Sequence, residues 1–239
     1  MDGHRSAHRA GHHGIHLQER PLSDSNARPL RVVLLGPPAS GKGTQGRRLA
    51  DHLGLAYLGT GALLREQVEN ATPLGELAEP ILARGEYLPD DLMCRILGDW
   101  LECQTGGWVL DGFPRSLPQA EFLDAWLAGQ GQRLDAAILL DVPYEVLVSR
   151  IRKRVECPDC RWTGQDHQTH ANAQCPVCRT PALPRADDSE ENFTKRHREF
   201  TRHTLPVIEH YQKLKLLESC SATATQDEVA ARLLQLLHC

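Results

Sequence analysis

A glycine-rich loop between a buried strand and a helix constrains this chain more than any other feature. Residues 36–45 read Gly-Pro-Pro-Ala-Ser-Gly-Lys-Gly-Thr-Gln, after the apolar run Leu30–Leu35 and before a helical pattern that ends near Leu53. A strand, a turn and a helix start in this order place backbone N–H groups and the positive end of a helix dipole around a polyphosphate. In such a loop Lys42 bridges two phosphates, and the hydroxyl of Thr44 binds Mg²⁺. The segment therefore predicts a phosphate-binding site.

The loop differs from the general phosphate-loop pattern at one position and limits its own donors at two others. Gly43 stands where the pattern has Ser or Thr directly after the lysine. Pro37 and Pro38 have no N–H to donate, so the donors must come from the second half of the loop. We expect the phosphate contacts at Ala39, Ser40, Gly41, Lys42, Gly43 and Thr44.

The composition is that of an ordinary globular protein. The chain has 239 residues, of which 41% are hydrophobic, and its formal net charge is −4. This length fits one large domain with small insertions, and no run approaches the ~20 apolar residues that cross a bilayer. The negative charge argues against a nucleic-acid partner. We expect a monomer in the cytoplasm that acts on small molecules, without a membrane partner.

The first 29 residues differ in composition from the rest of the chain. They are rich in His, Arg, Gly and Ser and contain few apolar or acidic residues. Such a segment cannot bury enough apolar surface to fold alone. We therefore expect residues 1–29 to form a disordered tail without a role in catalysis.

Apolar, strand-like runs alternate with helical patterns along the rest of the chain, which is typical of a parallel sheet covered on both faces. The predicted strands are Leu30–Leu35, Ala56–Leu58, Trp108–Asp111, Ala136–Asp141 and Lys215–Ser219. The predicted helices are Gly43–Leu53, Gly61–Glu69, Leu74–Ala83, Asp91–Gln104, Leu117–Gly129, Tyr144–Lys153, Glu190–Gln212 and Gln226–Leu237. Pro206 should kink the penultimate helix.

Four of the eight cysteines form two closely spaced pairs. Cys157 and Cys160 are followed, after fourteen residues, by Cys175 and Cys178. This spacing is typical of a four-thiolate zinc ribbon. Residues 155–186 show almost no apolar periodicity, so they need a staple such as Zn²⁺ in place of a hydrophobic core. The alternatives are free thiols or a disulfide, and a reducing compartment disfavours the disulfide.

An acidic residue, Asp111, ends the third predicted strand, and a turn follows at once. Ligands of open parallel sheets bind at the carboxyl ends of the strands. Asp111 is therefore placed to hold Mg²⁺, directly or through water.

Arginines accompany these features at Arg65, Arg115, Arg150, Arg154, Arg185 and Arg196. Arg150 and Arg154 are four residues apart on one predicted helix, so we expect them to share a face. The guanidinium group binds phosphate through two parallel hydrogen bonds. A protein catalyses phosphoryl transfer mainly by positioning the two substrates and by neutralising charge on the phosphates. Together with the loop, these arginines indicate a site for two phosphorylated substrates.

The chain resembles the adenylate kinases, in the long form with a zinc-bearing lid. The resemblance rests on residues 36–45, Thr60-Gly-Ala-Leu-Leu-Arg65, Asp111-Gly-Phe-Pro-Arg115, Arg185-Ala-Asp-Asp188 and the four paired cysteines. It implies the α/β, P-loop nucleoside monophosphate kinase fold, with a parallel five-stranded sheet and helices on both faces. The core would comprise residues 30–58, 89–152 and 189–239. Residues 59–88 would form the AMP-binding domain and residues 153–188 the zinc-binding lid, with Asp187 and Asp188 at its hinge.

The resemblance also implies the reaction, in which the terminal phosphoryl group of Mg·ATP passes reversibly to AMP and gives two ADP. The residues implied in catalysis are Lys42, Asp111, Arg115, Arg150, Arg185 and Arg196. ATP would be held by the loop from Ala39 to Thr44 together with Arg150 and Arg154. AMP would be held by Thr60, Arg65, Glu86, Tyr87, Leu88, Gly112, Phe113, Pro114, Arg115, Gln119, Arg185 and Arg196. Gln119 would read the adenine edge, and the implied cofactors are Mg²⁺ with ATP and a structural Zn²⁺ on Cys157, Cys160, Cys175 and Cys178.

The chain departs from the family's pattern in three places, and two alternative functions stay open. Ala39 replaces the middle glycine of the loop, so the backbone there must tolerate a Cβ, and Ala62 replaces a common acid. Residues 163–164 stand where the family often has an aromatic residue near the adenine, and Trp162 before them would take over that stacking. One alternative is a related kinase with GTP as donor or another monophosphate as acceptor, although Gln119 favours AMP. The other is a zinc-ribbon protein that binds nucleic acid through a phosphate-loop domain. The negative net charge and the lack of a basic run with interleaved aromatic residues disfavour it.

Overall fold

The computed structural model describes residues 29–185 and 188–239. The tail prediction therefore lies outside the described residues, apart from Pro29, and so does the hinge prediction for Asp187. No helix among the described residues combines the length and the apolar character that crossing a bilayer requires.

The strands in the described residues form two separate sheets. In chain order they are β1 Arg31–Leu35, β2 Ala56–Gly59, β3 Trp108–Asp111, β4 Ala136–Asp141, β5 Arg154–Glu156, β6 Thr163–Gln165, β7 Leu183–Pro184 and β8 Leu217–Ser221. The larger sheet has the strand order β2-β3-β1-β4-β8, and all of its pairings are parallel. This confirms the predicted five-stranded parallel sheet.

Helices cover both faces of this sheet. The α-helices in the described residues are α1 Lys42–Leu53, α2 Thr60–Glu69, α3 Pro73–Ala83, α4 Asp90–Glu102, α5 Leu117–Gly129, α6 Tyr144–Arg152, α7 Glu190–Glu199, α8 Leu205–Lys213 and α9 Gln226–Leu236. Successive residues of a strand point to opposite faces. Accordingly Val33 and Leu35 pack in a core cluster with residues of α4, α5 and α8. Val32 and Leu34 pack in a second cluster with residues of α1, α6 and α9.

Side-chain caps start several helices. Thr72, Ser116, Ser189 and Thr225 each accept a hydrogen bond from the backbone N–H three residues later. Such caps satisfy the N–H groups that a helix start leaves unpaired. Helix α1 differs because it follows Gly41 without a side-chain cap and has no acidic residue in its first turn. Its first N–H groups therefore have no capping side chain, and a helix start of this kind suits an anionic ligand.

Two predicted elements differ from the structure in detail. The last strand of the large sheet begins two residues later than predicted, because Lys215 has a positive φ of 57° and turns the chain before Leu217. The predicted helix 190–212 is interrupted before Pro206, not at it, by a π-helical turn at Phe200–Thr204. The proline then lies in the first turn of α8, where its missing N–H costs no hydrogen bond.

Residues 153–188, the lid segment, contain the small second sheet. Strand β5 pairs antiparallel with β6 and with β7. Few side chains are buried here, and they include Val155, Ala182 and two of the paired cysteines, Cys157 and Cys175. The lid segment therefore has little apolar interior of its own, as the sequence pattern predicts.

Candidate active site and metal centre

A cleft of about 740 Å³ opens at the carboxyl ends of the parallel strands. Its walls are the glycine-rich loop after β1, the end of β3, the loop after β8 and strand β6 of the lid segment. This is where ligands of open α/β sheets bind. The described cationic residues that line it include Lys42, Arg65, Arg115, Arg150, Arg154, Arg185 and Arg196.

The glycine-rich loop turns tightly into α1. Gly41 has a φ of 100°, a conformation that glycine adopts without strain, and Ala39 has a φ of 64°. Ala39 therefore adopts a left-handed backbone conformation, in which its Cβ lies close to the following carbonyl oxygen and strains the loop, as a glycine would not. Gly36 is also required for packing, since a Cβ there would lie 2.9 Å from the carbonyl oxygen of Leu140.

Lys42 lies in the first turn of α1 and points back over the loop. Its Nζ donates hydrogen bonds to the carbonyl oxygens of Gly36, at 2.7 Å, and Pro37, at 3.0 Å. Burial lowers the pKa of Lys42 to about 8, and the nearby carboxylate of Asp111 opposes this shift. A phosphate in the cleft would add negative charge and favour the protonated lysine.

Asp111 lies opposite Lys42 at the end of β3. Its Oδ2 accepts a hydrogen bond of 3.1 Å from the hydroxyl of Tyr57. Burial and the Asp111 carboxylate raise the pKa of Tyr57, so this hydroxyl keeps its proton. The hydroxyl of Thr44, predicted to bind Mg²⁺, also faces the cleft and lies 3.5 Å from the carbonyl oxygen of Thr163 in the lid segment. Hydroxyl and carboxylate oxygens are ligands that suit Mg²⁺.

Two carboxylates hold arginines around the cleft. Asp188, whose side chain is almost fully buried, pairs with Arg154 through two hydrogen bonds and with Arg196 at 3.6 Å. Glu156 Oε2 lies 3.3 Å from Arg185 and 3.9 Å from Arg65. These ion pairs hold the four guanidinium groups beside the cleft.

The predicted pairing of Arg150 and Arg154 on one helical face is wrong. Helix α6 ends at Arg152, and Arg154 is the first residue of β5. Both side chains nevertheless line the cleft. Arg150 donates hydrogen bonds to the carbonyl oxygens of Ser40, at 3.3 Å, and Ala222, at 2.6 Å, which tie α6 to the glycine-rich loop and to the loop after β8.

The turn after Asp111 forms the other side of the site. The Nε of Arg115 donates to the carbonyl oxygen of Gly112 at 2.7 Å, and its guanidinium lies 4.6 Å from the ring centre of Tyr87. The hydroxyl of Thr60 donates to the same carbonyl oxygen at 3.0 Å. A second, smaller cavity of about 50 Å³ is lined by Tyr87, Gly112, Pro114, Arg115 and Arg196, among others.

Five of the predicted acceptor residues lie outside both cavities, and one of them is Thr60, whose hydroxyl donates a hydrogen bond to the turn. Phe113 and Leu88 are buried in the first core cluster, and Glu86 is exposed and pairs with Arg84. Gln119 is buried behind Arg115, accepts from its backbone N–H at 2.8 Å and donates to Asp90 at 2.7 Å. The carboxamide of Gln119 is thus held in one orientation.

The four paired cysteines converge at one end of the lid segment. All four Sγ atoms lie within 4.8 Å of one another, and two of the Sγ–Sγ distances are 3.3 Å and 3.5 Å. A tetrahedron with Zn–S bonds of ~2.3 Å has edges of about 3.8 Å. Hydrogen bonds from the backbone and hydroxyl of Thr180 lower the pKa of Cys178 to about 6. The donor set and its geometry fit a structural Zn²⁺.

The sequence reasoning missed three parts of the cleft. Tyr57 and Glu156 line the cleft, and so do residues 222–227, which follow β8. The last group follows from the rule that ligands meet strand ends, once β8 is placed correctly. No local pattern marks Tyr57 or Glu156, because their partners are distant in sequence.

Comparison with known proteins gives the family. A family model for adenylate kinase matches residues 34–216. The chain belongs to the adenylate kinase family. An adenylate kinase of Finegoldia magna is 36% identical over 208 residues, which cover 85% of this chain and 97% of that protein. Those of Thermodesulfovibrio yellowstonii and Paracoccus denitrificans are each 38% identical, over 84% and 87% of this chain and 95% and 97% of their own lengths.

Proposed function

We propose that this protein transfers the terminal phosphoryl group of Mg·ATP to AMP, reversibly, and gives two ADP. The observation that carries this proposal is a two-sided cationic cleft. The glycine-rich loop with Lys42 lies on one side, the turn from Asp111 to Arg115 lies on the other, and the lid segment lies above. A site for a single nucleotide would not require phosphate-binding groups on both sides.

The donor side would hold ATP. Backbone N–H groups of the loop from Ala39 to Thr44, at the start of α1, would bind the β- and γ-phosphates. Arg150 and Arg154 line the same side of the cleft. The loop at 222–227 lies beside Arg150 and would enclose the base and ribose of the donor.

The acceptor side would hold AMP. Arg65 and Arg115 line the cleft near the end of β3, where they would bind the α-phosphate through bidentate contacts. Tyr87 lies under the guanidinium of Arg115 and fixes it. Gln119 is the group that would meet the adenine edge, after exchanging its hydrogen bond with Asp90.

The transfer needs no covalent intermediate. An α-phosphate oxygen of AMP forms a bond to the γ-phosphorus while the bond from that phosphorus to the β–γ bridging oxygen breaks, and ADP leaves. Lys42, Arg115, Arg185 and Arg196 would neutralise charge on the group in transit. The ion pairs of Arg185 with Glu156 and of Arg196 with Asp188 support this role for the two arginines. Magnesium bound to the ATP phosphates supplies further charge neutralisation, and Thr44 and Asp111 are the residues that would hold it.

Closure of the lid segment would exclude water. The lid segment contacts the AMP-side residues through the ion pair of Arg161 with Glu69, and it contacts the core where Gln226 donates to Gln168 at 3.4 Å. Water in the cleft would compete with AMP for the γ-phosphorus. These contacts favour transfer over hydrolysis.

An assay for ADP with Mg·ATP and AMP, separately and together, tests the reaction. ADP should form only when both are present, and equal loss of ATP without AMP would show an ATPase instead. Replacing ATP by GTP, and AMP by other monophosphates, would reveal the related kinases if those pairs reacted faster. Lys42→Met should lower kcat at least 100-fold, whereas Lys213→Met, an exposed control on α8, should have no effect.

The protein's wider setting is also part of the proposal. We propose a cytoplasmic monomer without nucleic-acid or membrane partners, and the net charge of −4 supports the lack of a nucleic-acid partner. Sedimentation at micromolar concentration should give the mass of one chain, and binding of DNA or RNA should be absent at low salt, where it would be strongest.

A further inference from the structure

Tyr57 occupies a slot beside the phosphate site, and glycines form two of its walls. A Cβ on Gly46, in α1, would lie 2.8 Å from Cε2 of Tyr57, and a Cβ on Gly59 would lie 2.7 Å from its hydroxyl oxygen. Contacts this short do not occur, so a side chain at either glycine would displace the tyrosine ring. The Cζ of Arg47 lies 4.8 Å from the ring centre and adds a cation–π contact. Both glycines are therefore matched to a tyrosine at position 57.

The slot directs the hydroxyl of Tyr57 to one oxygen of Asp111. The hydrogen bond to Oδ2 is 3.1 Å long. Among the residues that the structure describes, no hydrogen bond reaches Oδ1 of this carboxylate. A Cβ on Gly43 would lie 3.4 Å from Oδ2 and 3.7 Å from the hydroxyl, so the backbone of α1 lies close to this pair. One oxygen of Asp111 is thus fixed, and the other remains for a ligand in the cleft.

We propose that Tyr57 is a positioning residue for metal binding, which fixes the carboxylate of Asp111 so that Oδ1 serves the Mg²⁺ of the bound nucleotide. This inference rests on the proposed function, in which Asp111 meets that metal. The last torsion of an aspartate is broad, so a carboxylate without a partner samples many orientations. Partners that orient a metal-binding carboxylate typically change metal affinity 10–100-fold.

The competing explanation is that Tyr57 only fills space in the second core cluster, which it borders. Ring and hydroxyl can be separated, because Tyr57→Phe removes a single oxygen and keeps the packing. A space-filling role predicts no change in metal dependence. A positioning role predicts a defect that appears only when Mg²⁺ is present.

The test is calorimetric binding of ADP with and without added Mg²⁺. For Tyr57→Phe the affinity for Mg·ADP should fall about tenfold, while the affinity for ADP without added Mg²⁺ stays unchanged. Equal affinities to the unmutated protein under both conditions, or equal losses under both, would overturn the inference. The melting temperature of each variant shows whether it folds.

Tyr211→Phe is a matched control, because Tyr211 is a buried tyrosine in the first core cluster, on the other face of the sheet. It should leave both affinities unchanged, whatever it does to stability. Asp111→Asn separates the inference from the proposed function. If Asp111→Asn removes the effect of Mg²⁺ and Tyr57→Phe does not alter it, only the role of Tyr57 is wrong. If Asp111→Asn also has no effect, the metal assignment of Asp111 fails as well.

Gly59→Ala provides a second route that leaves Tyr57 itself in place. The added methyl should push the hydroxyl away from Asp111 and reproduce the loss of Mg·ADP affinity. In a Tyr57→Phe background the same change should add little, because the hydroxyl that it displaces is already gone. Fully additive losses in the double variant would contradict a shared mechanism.

Discussion

Two segments cover the same cleft, and different forces hold them together. Residues 59–88, which we propose as the acceptor segment, bury Leu64, Ala78 and Leu88 in the first core cluster, which continues into the body of the protein. The lid segment buries little besides Val155, Ala182 and two thiols. A segment that shares the main core is stabilised by apolar burial. A segment that extends beyond the core needs a local cross-link, and four cysteines provide one.

The largest expected effect comes from breaking that cross-link. Replacing Cys157 and Cys160 by Ser should abolish zinc binding, because two thiolates cannot close the tetrahedral site. Amide exchange should then become fast across residues 153–185, while residues 59–88 stay protected. The kcat should fall by about 100-fold or more, since Arg154 and Arg185 lose their places.

Metal analysis measures the zinc content, amide exchange measures the protection of each segment, and the assay for ADP measures kcat. Cys103→Ser is the control, since Cys103 is an exposed cysteine outside the cluster and should leave zinc content unchanged. If zinc is lost stoichiometrically and amide exchange in the lid segment does not change, zinc does not hold this segment together. The three short strands would then be enough to keep it folded.

A change in the acceptor segment should act on the whole protein instead. Leu64→Ala leaves a cavity in the shared core and should lower the free energy of unfolding by about 2–5 kcal/mol. Denaturant unfolding followed by circular dichroism measures this. Leu183→Ala, at a 56% exposed leucine of the lid segment, is the matched control and should change stability by less than about 0.5 kcal/mol.

The pH dependence of ADP binding should report on Lys42, which lines the cleft between the two segments. Its lowered pKa, about 8, means that the side chain is charged below pH 8 and increasingly neutral above it. Because phosphate binds the charged form, ADP affinity should weaken by up to about fivefold between pH 8 and pH 9. Lys42→Arg remains charged over this range. Its calorimetric affinity should therefore not weaken, and a parallel loss in both proteins would assign the effect to another group.

The smallest effect concerns the contact between the segments. Glu69 and Arg161 form an ion pair that is partly exposed, so solvent and salt screen it. Glu69→Gln should weaken the association of the two segments by less than about 1 kcal/mol. The apparent KM for nucleotides should therefore rise no more than a few-fold. The difference from the unmutated protein should vanish in 1 M salt. A loss that persists in high salt would point to packing, not charge.

The features that the sequence predicted are local. The strand, glycine-rich turn and helix around Lys42 lie within residues 31–53. The spacing of the two cysteine pairs predicts the four-thiolate metal site. The carboxyl-end position of Asp111 also follows from one strand. Where prediction was wrong, a neighbouring element intervened: Arg154 belongs to β5 because α6 ends at Arg152.

The sequence by itself determined the chemistry of this protein: a loop for polyphosphate, an acid at a strand end, a set of arginines and four thiolates. Only the tertiary structure decided how these groups are held. Tyr57 reaches Asp111, Asp188 gathers Arg154 and Arg196, and Glu156 lies between Arg65 and Arg185. Such contacts join residues far apart in the chain, and no periodicity or spacing encodes them. They arise because packing of the sheet and its helices brings the strand ends to one edge, where the charges must be paired.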